Sequence, residues 1–307
     1  MKYIKPVCNL HDLLQKLKSR GLVVSSDSDV LSSLENIGYY RLAGYAYPFL
    51  EAPTRKTFKP GTTWEQISRL YEFDRELRVH VIDGIERVEV SIRARMVSAT
   101  CTHWSDSHWF LDARHFHPAF DHSYFIQQLE RELGIKYPPP TRSRVLPANH
   151  AETFIQHYYT KYGDPYLPPF WMTAEVLTLG TLSKLYKGLG DSKLKAEIAK
   201  PFGVPAKMFE GWLHALAHLR NICAHHGRLW NRVFSISPPL ANKHMGLMRS
   251  PTRLEGHLVV LVDALDVANP GHSFRQQFKA LLSMFSEIDP TAMGFVAGWD
   301  AQPFWTK

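Results

Sequence analysis

The chain has 307 residues, 45% of them hydrophobic, which is enough to bury a sizeable core in one large domain or two small ones. Its 36 Lys and Arg outnumber its 29 Asp and Glu, giving a net charge of +7 and drawing it toward polyanions such as nucleic acid or an anionic membrane, although the basic residues are dispersed and form no tail. Cys8, Cys101 and Cys223 are too few and scattered for a disulfide framework, and no apolar stretch reaches signal-peptide or membrane-spanning length, so a cytoplasmic protein without membrane association is expected.

Helical periodicity dominates the long segments, and the fold class read from it is all-α; two-residue alternation is confined to residues 22 to 24 and 233 to 236. Short helices are predicted over 9 to 19 and 28 to 38, the second ending at Gly38. The aromatic-rich Tyr39 to Phe49 stretch that follows reads as packing filler. Thr62 and Glu65 form a capping box opening a long amphipathic helix (Trp64, Ile67, Leu70, Leu77, Val81, Ile85, Val88, Ile92, Met96) that runs toward Ser98, with Gly84 a point where it can bend. The charges along it, Asp74, Arg75, Glu76, Arg78, Glu86, Arg87, Glu89, Arg93 and Arg95, read as a solvated face of i,i+4 pairs.

From Trp104 to Pro169 the chain is rich in His, Pro and aromatic residues, and Tyr137-Pro138-Pro139-Pro140 reads as an exposed loop within it. Helices are predicted there over 122 to 133 and 151 to 161. Further helices follow over 174 to 189, 191 to 200 and 205 to 226, and after Pro238-Pro239 over 253 to 268 and 272 to 286. The organisation expected is a single domain over 1–307, with a core at roughly 62–235, an insertion at 105–168 and C-terminal helices at 236–307.

The chemistry concentrates in the 205 to 226 helix. At 100° per residue, Trp212, Leu216, Leu219 and Cys223 share one stripe and His214, His218, Asn221 and His225 the opposite one. Arg220 lies to the side, its long stem able to carry the guanidinium toward His225. Gly227 reads as the helix C-cap, a helix end that favours protonated His225 or His226, and Arg228 and Arg232 add positive charge just beyond. Cleaving RNA without a metal needs a base for the 2′-hydroxyl, an acid for the 5′-oxygen and a cation beside the phosphorane, and imidazole and guanidinium supply all three. The Arg-to-His spacing alone is weak, because Arg75 with His80 and Arg144 with His150 also satisfy it.

The segment Arg220-Asn221-x-x-Ala224-His225-His226-x-Arg228-Leu229-Trp230-Asn231-Arg232 resembles the hallmark of the Abi family of abortive-infection proteins, of the AbiD and AbiF type, which are similar to HEPN-domain ribonucleases. Tyr39-Tyr40-Arg41-Leu42-x-Gly44-Tyr45, Phe73-Asp74-Arg75-x-Leu77-Arg78, Pro168-Pro169-x-Trp171-Met172-x-x-Glu175-Val176-Leu177-x-x-Gly180-x-Leu182 and Met293-Gly294-Phe295 carry the same resemblance over residues 12 to 305. It implies an all-α, HEPN-like helical bundle and metal-independent endoribonuclease activity in phage defence. It also implies a toxin restrained by an RNA or protein antitoxin, and no cofactor. The expected catalytic residues are Arg220, Asn221, His225 and His226, with Arg228, Arg232, His218 and His214 contacting RNA, and a homodimer supplying the second Arg-His motif.

Two other readings stand beside this one. The same basic face suits a non-enzymatic module that binds RNA or a protein partner. Glu210, His214 and His218, at successive helical turns, could instead ligate a divalent ion in a metal-dependent hydrolase.

Overall fold

The computed structural model describes residues 2, 7–134, 153–244 and 246–307; the Tyr137 to Pro140 loop and the Arg144 and His150 pair lie outside them. Among the described residues the fold is helical, with no strand and only isolated bridges such as Val23 with Thr63, so the alternation at 22 to 24 yields one bridge pair rather than a sheet. At 233 to 236 the backbone instead hands a single hydrogen bond to its neighbour, Phe234 N–H to the Thr252 carbonyl at 2.8 Å. The chain divides into two compact units, Met1–Arg78 with Ala280–Asp289, and Val79–Lys279 with Pro290–Lys307.

The first unit holds α1 (Leu10–Ser19), α2 (Asp27–Asn36), α3 (Tyr39–Ala46) and the start of α4 (Trp64–Trp104). The Asn9 side chain accepts the Asp12 N–H while Asp12 returns the bond to the Asn9 backbone, satisfying two donors that the first turn of α1 would leave open. Gly38, at φ 91°, turns the chain between α2 and α3, a backbone conformation that costs only glycine nothing. The capping box of α4 is Thr63 with Gln66, one residue beyond the expected Thr62 and Glu65. Thr63 Oγ1 accepts the Gln66 N–H, and Gln66 accepts the Thr63 N–H at 3.0 Å.

The helix α4 runs unbroken through Gly84 to Trp104, six residues past the expected end. Gly84 serves contact rather than bending: a β-carbon there would stand 3.0 Å from the Phe274 ring. Its charges are not a uniformly solvated face. Asp83 and Arg87 do pair in water, but Asp74 and Arg78 are buried, and Tyr45 O–H donates to Asp74 Oδ2 at 2.6 Å while Arg78 bonds both. Tyr45 thereby leaves the role of simple filler, whereas Tyr40 in the same stretch is exposed. Burial, with the Asp74 carboxylate beside it, pushes the Tyr45 phenol far above its ordinary pKa. Asp74→Ala leaves the Arg78 cation buried without its counter-charge, and a loss of about 3–5 kcal/mol in the unfolding of this unit is expected by denaturant titration.

The second unit carries the rest of α4, then α5 (His122–Glu132), α6 (Phe154–Lys161), α7 (Phe170–Val176), α8 (Leu179–Gly188), α9 (Ser192–Ala199), α10 (Ala206–Ala224), α11 (Leu254–Ala268), α12 (Phe274–Met284, its last residues in the first unit) and the short α13 (Pro303–Thr306). The segment expected as one helix over 174 to 189 is two. Thr178 takes an extended backbone and its hydroxyl accepts the Thr181 N–H, and the side chain of Glu132 from α5 receives the Thr178 N–H and the Thr181 hydroxyl. A side chain that caps a new helix ends the old one.

The helix α10 packs against α8, α9 and α11 and buries Phe209, Trp212, Leu213, Leu216, Leu219, Ile222 and Cys223. At about 1.5–3 kcal/mol for each large apolar side chain withdrawn from water, this face fixes the axis and rotation of the helix, and so the direction in which the opposite stripe points. No helix among the described residues is long and apolar enough to cross a membrane.

Candidate active site

The C-terminal end of α10 presents the predicted residues to solvent. Asn221, His225 and His226 are exposed and Arg220 is half-exposed, with 36% of its side chain accessible, so the stripe opposite the core is open as its spacing requires. Five residues separate Arg220 from His225, which sets them roughly 140° apart around the axis. The guanidinium reaches toward α4, where its Nε lies 3.9 Å from Glu89 Oε2.

The helix end departs from the expected Gly227 cap. His225 is the last capping residue, His226 takes the left-handed backbone at φ 56°, and the N–H groups of His226 and Gly227 return to the carbonyls of Cys223 (2.9 Å) and Ile222 (2.7 Å). Gly227 is needed for closeness instead, because a β-carbon there would stand 2.9 Å from the Ile222 side chain and 3.1 Å from its carbonyl oxygen. A non-glycine residue at a left-handed position costs about 1 kcal/mol.

Beyond the cap the chain is clamped to the start of α11. Arg253 donates to Asn231 Oδ1 at 3.0 Å, His257 bonds the Ile236 carbonyl at 2.9 Å, and the Trp212 indole N–H from α10 reaches the Pro239 carbonyl at 2.8 Å. Arg232 folds back within this segment, donating to the Arg228 carbonyl at 3.3 Å and standing over the Phe234 ring, while Arg228 is half-buried. His218 is half-buried beside Ser235 Oγ at 3.5 Å, and burial, with the charges of Arg232 and His214, holds its pKa below the usual histidine value; His214 is exposed one turn earlier. The fold therefore brings His214, His218 and Arg232 near one another, while Arg220 faces Glu89 of α4.

The alternative metal set does not assemble. Glu210 lies between Lys195 Nζ (3.2 Å) and Lys207 Nζ (2.8 Å); burial alone would raise its pKa, but hydrogen bonds from the two lysines outweigh that and hold the carboxylate below its ordinary value. No three His, Cys, Asp or Glu side chains among the described residues are grouped to hold an ion. The competing Arg75 and His80 each take other partners. Arg75 pairs with its neighbour Glu76, and His80 stacks on Phe274 at 4.1 Å with a ring nitrogen 3.1 Å from the Phe274 carbonyl, burial lowering its pKa.

Sequence spacing did not single out Glu89 or Arg93 as site residues. Glu89 Oε1 is 3.1 Å from Arg93 Nη2, which also donates to the Leu177 carbonyl at 3.0 Å, and these two side chains are only 14% and 12% accessible. Their i,i+4 spacing is the same as that of the solvated Asp83 and Arg87, so nothing local distinguishes them.

An all-α protein with exposed Arg, Asn and His on the final turns of one buried helix is the class that fold and site define. The Abi-like protein family matches residues 32–231, about two thirds of the chain, and the chain belongs to that family. The matched stretch includes Arg220 to His226 and ends at Asn231, before Arg232, α11 and the Met293-Gly294-Phe295 stretch. No curated protein and no solved structure matches the chain.

Proposed function

We propose that this Abi-like protein is a metal-independent endoribonuclease that acts in abortive infection, cleaving RNA at the C-terminal end of α10. The observation that carries the reading is the exposure of Asn221 and His225, with half-exposed Arg220 beside them, on a helix whose other face is locked into the core. One imidazole removes the 2′-hydroxyl proton of a ribose, whose oxygen attacks the adjacent phosphorus. The bond to the 5′-oxygen breaks as an acid protonates it, leaving a 2′,3′-cyclic phosphate and a 5′-hydroxyl. Arg220 offers paired N–H donors to the phosphorane oxygens, and Asn221, one turn before His225, orients the imidazole or the phosphate.

The second Arg-His motif that the family resemblance implies comes from a second copy of the chain, so the active form is a homodimer with one motif from each protomer. The flanking cations Arg228 and Arg232 give the strand a positively charged approach, with His214 and His218 as polar contacts beside them. An RNA or protein antitoxin would act by covering this end of α10.

The test is incubation of purified protein with total RNA, read on a denaturing gel. Discrete fragments support the nuclease. A mobility shift on a native gel with intact RNA on the denaturing one would favour the non-enzymatic RNA-binding reading instead.

A further inference from the structure

We infer that Glu89 is a positioning residue for Arg220, holding the guanidinium by its Nε edge so that its two Nη groups are left to meet a phosphate. The inference rests on the nuclease reading for its chemical consequence, but the seat itself is geometric. The Glu89 carboxylate is shared: Oε1 goes to Arg93 at 3.1 Å and Oε2 faces Arg220 Nε at 3.9 Å. Arg93 is fixed in turn by the Leu177 carbonyl at the C-terminal end of α7, so the Glu89–Arg93 pair of α4 faces both the end of α7 and Arg220 of α10.

Burial decides why this acid differs from the other charges of α4. Glu89 and Arg93 are 14% and 12% accessible, whereas Asp83 and Arg87 are about half exposed. A carboxylate largely withdrawn from water acts on a partly exposed guanidinium with less screening than a solvated carboxylate does. Two guanidiniums around one carboxylate also leave the cluster with a net positive charge, as an anionic substrate needs. A long side chain held before the phosphate arrives loses less freedom in the transition state than a loose one.

The experiment compares wild type, Glu89→Gln, and Asp83→Asn as a control in two readouts. One is water exchange of the Arg220 Nε proton by nitrogen NMR; the other is steady-state RNA cleavage. Glu89→Gln should speed the Arg220 exchange several-fold and lower kcat about tenfold with KM nearly unchanged, while Asp83→Asn changes neither. In an Arg220→Lys background, which has no Nε, Glu89→Gln should have no further effect on kcat. Should Glu89→Gln fold poorly, Glu89→Asp keeps the charge for Arg93 but shortens the reach to Arg220, and an intermediate loss is expected. Unchanged Arg220 exchange in Glu89→Gln, or an equal loss of kcat in the Arg220→Lys background, overturns the inference. If no protein cleaves RNA but the Arg220 signal still responds to Glu89→Gln, the nuclease reading falls and Glu89 stands as the seat of Arg220.

Discussion

His225→Ala and Arg220→Ala are each expected to lower the rate of RNA cleavage by about 10²–10⁴-fold, the range lost with a general acid or base or with a key donor to the transition state. Both should stay folded. His225 is exposed at the end of α10, so its removal takes away no buried contact and should shift stability by less than about 0.5 kcal/mol. Arg220 gives up one long, partly exposed ion pair to Glu89, at a cost of up to about 1 kcal/mol. Cleavage that persists in either variant, with melting unchanged, removes that residue from the chemistry.

Glu255→Gln should flatten the fall of thermal stability with rising pH. Glu255 opens α11 and is fully buried, with neither carboxyl oxygen hydrogen-bonded among the described residues. Burial raises its pKa to about 9, which the neighbouring Trp305 indole only partly opposes. The folded state therefore keeps a proton that the unfolded chain releases near pH 4.5, so stability is full below that value, falls as pH rises and levels off above pH 9. The slope is about 1.4 kcal/mol per pH unit.

His257 has the opposite sense: burial depresses its pKa to about 4, so its contribution is lost as pH falls from 6.5 to 4. Melting curves between pH 7 and 8.5 lie above that window and isolate Glu255. Wild type should lose melting temperature across this range, at roughly 2–4 °C per kcal/mol for a unit of this size, and Glu255→Gln should not. Parallel slopes in the two proteins contradict the assignment.

The helices were legible because period-3.6 patterning is local, and the buried and open stripes of α10 follow directly from Trp212, Leu216 and Leu219 on one side and Asn221 and His225 on the other. What stayed hidden depends on neighbours distant in sequence. Asp74 with Arg78, Asp83 with Arg87 and Glu89 with Arg93 share one spacing, yet Tyr45 buries the first, water surrounds the second, and the third holds Arg220. A few misses had a local signal that went unread. Thr178, three residues before Thr181, is a capping spacing inside the segment read as one helix, and Gln66 completes a box with Thr63 as well as Glu65 does with Thr62. The left-handed His226 had none, because glycine next to it is the better candidate by propensity.

The most direct measurement of the central claim is the chemistry of the cut ends, read from RNA fragments made by purified protein in excess chelator. A guanidinium and imidazole mechanism predicts undiminished cleavage that leaves 2′,3′-cyclic phosphate or 3′-phosphate ends and 5′-hydroxyls. Fragments bearing 3′-hydroxyls and 5′-phosphates, or RNA bound and left whole, would contradict it.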